Sequence, residues 1–206
     1  MPVKTDREYR RMEALEAREA QDGQKIVEGY ACTFNEEYTL WDDGQFAFRE
    51  SIDRDAFNDA DMRDVIMQYD HQGRVFARTG NGTLALYTDE HGLGVRCDLG
   101  GTEGGRQLYD EIRGGYTTKM SFGFTVARDE RTEERDQVTG KTTVHRKITA
   151  IKKLYDVSAV SLPANDATEI SARNLCDGLI EEIKAERLAE EERRKQIQKI
   201  KIMMEV

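Results

Sequence analysis

The segment KMSFGFTV, residues 119–126, sets one serine hydroxyl inside a run of bulky apolar residues. In an extended chain Met120, Phe122, Phe124 and Val126 share one face, while Ser121, Gly123, Thr125 and Ala127 share the other. The second face is small, so a hydroxyl on it has room for a substrate alongside. A solvated face of an ordinary strand has the same pattern. A serine nucleophile needs a general base, and histidine suits neutral pH. Of the chain's three histidines, His91 precedes Gly92 in a turn and His145 lies in a charged strand, both surface settings. His71 ends the apolar run VIMQYDH, where a buried strand can hold the ring and leave it accessible. A base also needs an acceptor on its far nitrogen, a role open to Asp156 at the head of DVSAVSL. The bland alternatives are a strand-end histidine bonded to Asp70 and a strand-start aspartate.

Other chemistries lack their motifs. GxxxxGK[ST], HExxH, GxGxxG and the GxSxG elbow are all absent, and no Cys/His spacing suits a metal. No cofactor or metal is expected. Cys32, Cys97 and Cys176 are far apart and odd in number, which reads as reduced thiols. A net charge of -9 argues against nucleic-acid binding, which normally needs a basic patch. No stretch reaches the roughly 20 apolar residues of a membrane span, and the N-terminus has no signal-peptide core. A soluble, intracellular protein is expected.

The elements that would carry these residues are short. Residues 1–23 are charged, end in the turn pair Asp22-Gly23 and read as a loosely held arm. From Lys25 about nine strand-like runs of 5–8 residues follow, divided by Gly, Asn and Asp. Residues 53–63 read as a short capped helix, and a second helix opens at Thr102 and stops at Gly114-Gly115. After Pro163 the pattern turns helical. Leu179, Ile180 and Ile183 form one apolar patch, and Ile197, Ile200 and Met204 form another beyond a charged stretch. The fold expected is mainly β (α+β): a closed or nearly closed antiparallel β-barrel surrounded by short helices, with a C-terminal helical tail. The divisions expected are the arm 1–23, a barrel domain 24–172 and the tail 173–206.

YDHQ, KMSFGF and LYDVSAVSLPAN, in that order, resemble the prohead proteases of tailed bacteriophages. These are serine peptidases that mature capsids and are distantly related to the herpesvirus assemblin protease. GYACTFNE and ESIDRDAF resemble the same family's opening segments, so the likeness spans residues 25–172. It implies His71 as base, Ser121 as nucleophile and Asp156 as third member. The last position usually carries Glu in the family, and the herpesvirus relatives use a second histidine, so His145 is the other choice. The resemblance further implies a phage capsid-maturation endopeptidase that cuts the scaffold segment of the major capsid protein and itself. It would act inside the assembling precursor capsid in the host cytoplasm, as a homo-oligomer. The distal patch of the tail is expected to bind another chain. Two rival readings use the same strands: a non-catalytic capsid scaffold protein, and a barrel binding a small molecule along its small-residue face.

Overall fold

The computed structural model describes residues 7–13, 15–19, 24–160 and 166–204. The turn pair Asp22-Gly23 and Pro163 lie outside them, as does the side chain of Met204.

Two long strands form the frame. β10 (Lys119–Arg135) and β11 (Thr142–Val160) run antiparallel, with Ser121 opposite Ser158 and Gly123 opposite Asp156. Residues 142–162 had read as two separate strands because the charged Lys152-Lys153 interrupts the apolar pattern. They form one strand as far as Val160, and register shifts between Gly123 and Asp129 let the pair bend. The two ends of β11 serve different neighbours. Its first half pairs in parallel with β5 (Phe46–Ile52), and its last part pairs in parallel with β6 (Ile66–Tyr69). β4 (Tyr38–Asp42) lies outside β5, β7 (Gln72–Arg78) pairs with β6, and β1 (Glu8–Glu13) covers the free edge of β10. A second sheet has the order β2 (Leu15–Glu19), β3 (Lys25–Thr33), β9 (Gly92–Asp98), β8 (Leu84–Thr88).

Three expectations change. The fold is mainly β with two helices, but among the described residues the strands form a mixed seven-stranded sheet and an antiparallel four-stranded one, with no ladder closing them into a barrel. Residues 53–63 are turns, not a helix. Asp53 accepts from the N–H of Asp55 through its side chain, and i+3 backbone bonds such as Ala56 to Asp53 and Ala60 to Phe57 follow. Short polar side chains compete with helical bonding here, while Ala56 and Phe57 still reach the core. Most consequentially, two strands stand where residues 1–23 had read as a loose arm.

The core lies between the sheets. Val27, Ala31, Ile52, Met67, Leu93, Val95, Met120, Phe122, Phe124 and Val157 are all fully buried in it. α1 (Glu103–Arg113) closes one side. Thr102 caps its first turn by accepting from the N–H of Gly105, and Leu108, Tyr109 and Ile112 face inward. α2 (Asp166–Met204) docks Cys176, Leu179, Ile180 and Ile183 on Phe48 and Val144. Further along, Ile197 and Ile200 remain 51% and 57% exposed.

A buried ionic cluster ties β1 to this frame. Arg10, 2% exposed, donates to Glu50 through Nε at 2.5 Å and Nη2 at 2.8 Å. Arg146 donates to the same carboxylate at 2.7 Å and also reaches Glu8 and Asp129, while the Tyr38 hydroxyl donates to Glu50 at 2.5 Å. Burial alone would push the Glu50 carboxyl up, but the two guanidinium groups and Tyr38 outweigh it and hold it down at about 2. A carboxyl held lower in the folded state contributes stability above its unfolded value, and that contribution disappears as pH falls through the folded one. Chemical unfolding should therefore show stability falling between about pH 4.5 and pH 2 by an amount on the order of 3 kcal/mol from this group. In Glu50→Gln that acid-side loss should be absent.

Candidate active site

The ring of His71 reaches β10 because of an unusual turn. Tyr69 and Gln72 pair across the β6–β7 hairpin, leaving Asp70 and His71 as its two loop residues. Both are left-handed, with φ of 47° and 58°. A hairpin with both loop residues at positive φ matches the right-handed twist of its strands, though Asn-Gly usually fills it. Asp and His adopt this conformation more readily than most side chains, at an energetic cost of order 1–3 kcal/mol per residue. The Asp70 N–H bonds to the Ala159 carbonyl, which moors the turn against the end of β11.

From there the ring joins two groups. His71 Nε2 lies 2.6 Å from Ser121 Oγ, and His71 Nδ1 lies 2.5 Å from Asp156 Oδ2. Ser121 and Asp156 share a face of the β10–β11 ladder, two pairs apart, and Gly123 opposite Asp156 leaves the space between them. A Cβ on Gly123 would come within 2.5 Å of Asp156 Oδ1 and 2.8 Å of the Tyr9 ring, so glycine is required there. Ser158 Oγ donates to Asp156 Oδ2 at 2.8 Å, and Arg7 ion-pairs with Oδ1. Burial pushes the Asp156 carboxyl up, but the His71 hydrogen bond and charge, Arg7 and Ser158 together hold it below the usual carboxylate range. It is an anion at neutral pH, suited to accept from Nδ1–H and to fix the tautomer that leaves Nε2 free to take a proton.

The structure thus brings His71, Ser121 and Asp156 into one hydrogen-bonded row. His145 is elsewhere. It lies near the opposite end of β11, with Nδ1 2.5 Å from Glu37 Oε1 and Thr132 as its partner on β10. His91 is exposed in the β8–β9 turn with its ring against Tyr30. The cysteines offer no competing nucleophile, since burial pushes the thiols of Cys32, Cys97 and Cys176 up to about 12. Among the described residues no cluster of His, Cys, Asp and Glu could hold a metal ion, and no helix is long and apolar enough to cross a membrane.

The small-residue face of β10 is not open, contrary to expectation. Ser121 is 1% exposed, and the side chains of His71 and Asp156 are 3% and 0% exposed. β1 and Arg7 just before it supply the cover. The Arg10 carbonyl accepts from Ser121 Oγ at 2.8 Å, the Tyr9 ring packs edge-on to His71 at 4.4 Å, and Arg7 meets Asp156. These contacts had no sequence signature beyond a charged segment.

A hydrogen-bonded row of serine, histidine and carboxylate is the arrangement found in serine hydrolases. The family comparison is narrower: the profile described as Caudovirus prohead serine protease matches residues 13–181, and the chain belongs to that family. Among solved structures it is similar to one described as the bacteriophage T4 capsid assembly protease, gp21. That likeness has 12% identity and a TM-score of 0.43, and covers 76% of this chain and 99% of the other. No curated protein matches the chain.

Proposed function

We propose that this chain is a maturation endopeptidase of phage capsid assembly, with Ser121 as nucleophile, His71 as general base and Asp156 as the acid that orients it. The observation that carries this reading is the row Ser121 Oγ–His71 Nε2 and His71 Nδ1–Asp156 Oδ2, at 2.6 and 2.5 Å. Family membership supports it independently. In the first half-reaction His71 Nε2 takes the Ser121 proton while Oγ attacks a peptide carbonyl carbon. The tetrahedral intermediate collapses to an acyl-enzyme, and the imidazolium returns the proton to the departing amine. In the second half-reaction water, deprotonated by the same nitrogen, attacks the acyl carbon, and the imidazolium returns the proton to Ser121 Oγ as the acid leaves. Asp156 stays ionised throughout, and backbone N–H groups stabilise the oxyanion.

The substrates proposed are the scaffold segment of the major capsid protein and this chain itself, cut inside the precursor capsid. In this division residues 24–172 are the peptidase unit, preceded by the arm 1–23 and followed by the tail 173–206. The exposed Ile197 and Ile200 belong to a distal helical patch suited to a second copy or to the scaffold. Mass spectrometry of the purified chain held at high concentration, alone and with capsid precursor, tests the reading. Trimming at discrete sites, sensitive to a fluorophosphonate, is the expected result. Chains of unchanged mass in both mixtures would refute it.

A further inference from the structure

Strand β1 and Arg7 just before it make contact with all three members of the row, from the edge of the strand that carries Ser121. An unpaired edge beside a nucleophile is where an extended peptide adds as a further strand, its backbone giving affinity and its side chains specificity. β1 lies along that edge in register, with Tyr9 opposite Gly123 and Arg10 opposite Phe122. It also lies almost wholly ahead of residue 13, where the family match begins.

Its side chains meet a site that is complete without them. If β1 left, Glu50 would keep Tyr38 and Arg146, and Arg146 would keep Asp129. Asp129 also has Arg131, so these fixed charges balance; what the fully buried Glu50 would lose with β1 is the pair of hydrogen bonds from the Arg10 guanidinium, at 2.5 and 2.8 Å. Glu8, two residues earlier, meets Arg146 through both carboxylate oxygens at 2.7 and 3.0 Å. A peptide with an acid followed two places later by an arginine is therefore matched at both points.

The bound geometry is unproductive. The oxygen of the Arg10 carbonyl, and not its carbon, faces Ser121 Oγ at 2.8 Å, so the hydroxyl's single proton can be directed to that oxygen in place of His71 Nε2. While it is so directed, His71 cannot receive it.

We infer that the β10 edge beside Ser121 is the groove for the substrate strand, that Glu50 selects an arginine side chain in it, and that β1 occupies it as a built-in, displaceable inhibitor. This inference rests on the protease reading above. The test is the rate at which a fluorophosphonate labels Ser121 in the full chain, in Arg10→Ala and in Tyr9→Gly. Tyr9→Gly leaves the ionic cluster intact, so it carries the test if Arg10→Ala does not fold. Either variant should label at least about ten-fold faster than wild type, because the open state becomes the populated one. A synthetic peptide of residues 7–13 should restore slow labelling to the faster variant, and the same peptide with Glu at the Arg10 position should not. Equal labelling of wild type and the folded variants, or equal inhibition by both peptides, overturns this inference and leaves the protease reading standing. Labelling of none of the chains overturns both.

Discussion

Ser121→Ala should fold, keep nearly the wild-type stability and lose processing by on the order of a thousand-fold or more. The two halves of that result have separate causes. The hydroxyl is buried with two partners, His71 Nε2 and the Arg10 carbonyl, so its removal loses hydrogen bonds but leaves a void of only one oxygen. The net cost is about 1 kcal/mol, or about 2–4 °C in Tm for a chain of this size. The apolar side of the strand, with Met120, Phe122 and Phe124 fully buried, is untouched and holds the strand in place. Catalysis has no such reserve. Ser121 Oγ is the hydroxyl bonded to His71 Nε2, Ser158 Oγ is engaged with Asp156, and the cysteines are buried thiols. Mass spectrometry of the aged variant beside a thermal melt checks both halves. Trimming at the wild-type rate would remove Ser121 from the mechanism, and a collapsed melt would assign it a structural role instead.

How much of this could be read from residues alone differed from element to element, for physical reasons. The β10 alternation was legible because one face packs against the core and must be large and apolar, and Met120, Phe122 and Phe124 are fully buried. Ser121, His71 and Asp156 were picked out by residue type and by resemblance, not by spacing. Their juxtaposition depends on β11 pairing with β10 on one side and with β6 on the other, which no local pattern encodes. The left-handed turn that aims His71 was hidden because Asp-His is not a usual pair for it. β1 was hidden for a different reason. EYRRME reads as a solvated segment because hydropathy counts charges singly, whereas Arg10 and Glu8 are accommodated through ion pairs with Glu50 and Arg146. A buried cluster of this kind is weak evidence of stability, since replacing paired buried charges by apolar residues of similar volume is often neutral or stabilising. Its value lies in register: it specifies where along β10 the strand sits.

Asp156→Asn should cost nearly as much activity as loss of the base, by a route that the site's own hydrogen bonds define. Both carboxylate oxygens of Asp156 accept: Oδ1 from Arg7, and Oδ2 from His71 Nδ1 and Ser158. An amide has one oxygen and one NH2 for these two sides, so one side must face a donor with a donor. With β1 in place the cation of Arg7 claims the oxygen, and the NH2 turns to His71. Nδ1 must then accept, which puts the ring proton on Nε2 and leaves that nitrogen unable to take the Ser121 proton. With β1 displaced the oxygen can face His71, but the imidazolium formed during attack still lacks its anion. A fall of about 10³–10⁴ in turnover is the expected scale for a wrong tautomer and a missing counter-charge. Stability should change in a pH-dependent way. The wild-type carboxyl is held below its usual range, so it stabilises the fold above about pH 4, and this contribution is lost as pH falls through the lower folded value. The asparagine variant lacks that contribution at neutral pH, and the gap between the two chains should close on acidification. Turnover and denaturant midpoints measured from pH 7 to pH 3 decide the matter. An unchanged rate at neutral pH would move the orienting role off Asp156, and a stability gap independent of pH would mean that the carboxylate is not ionised as the His71 and Arg7 contacts require.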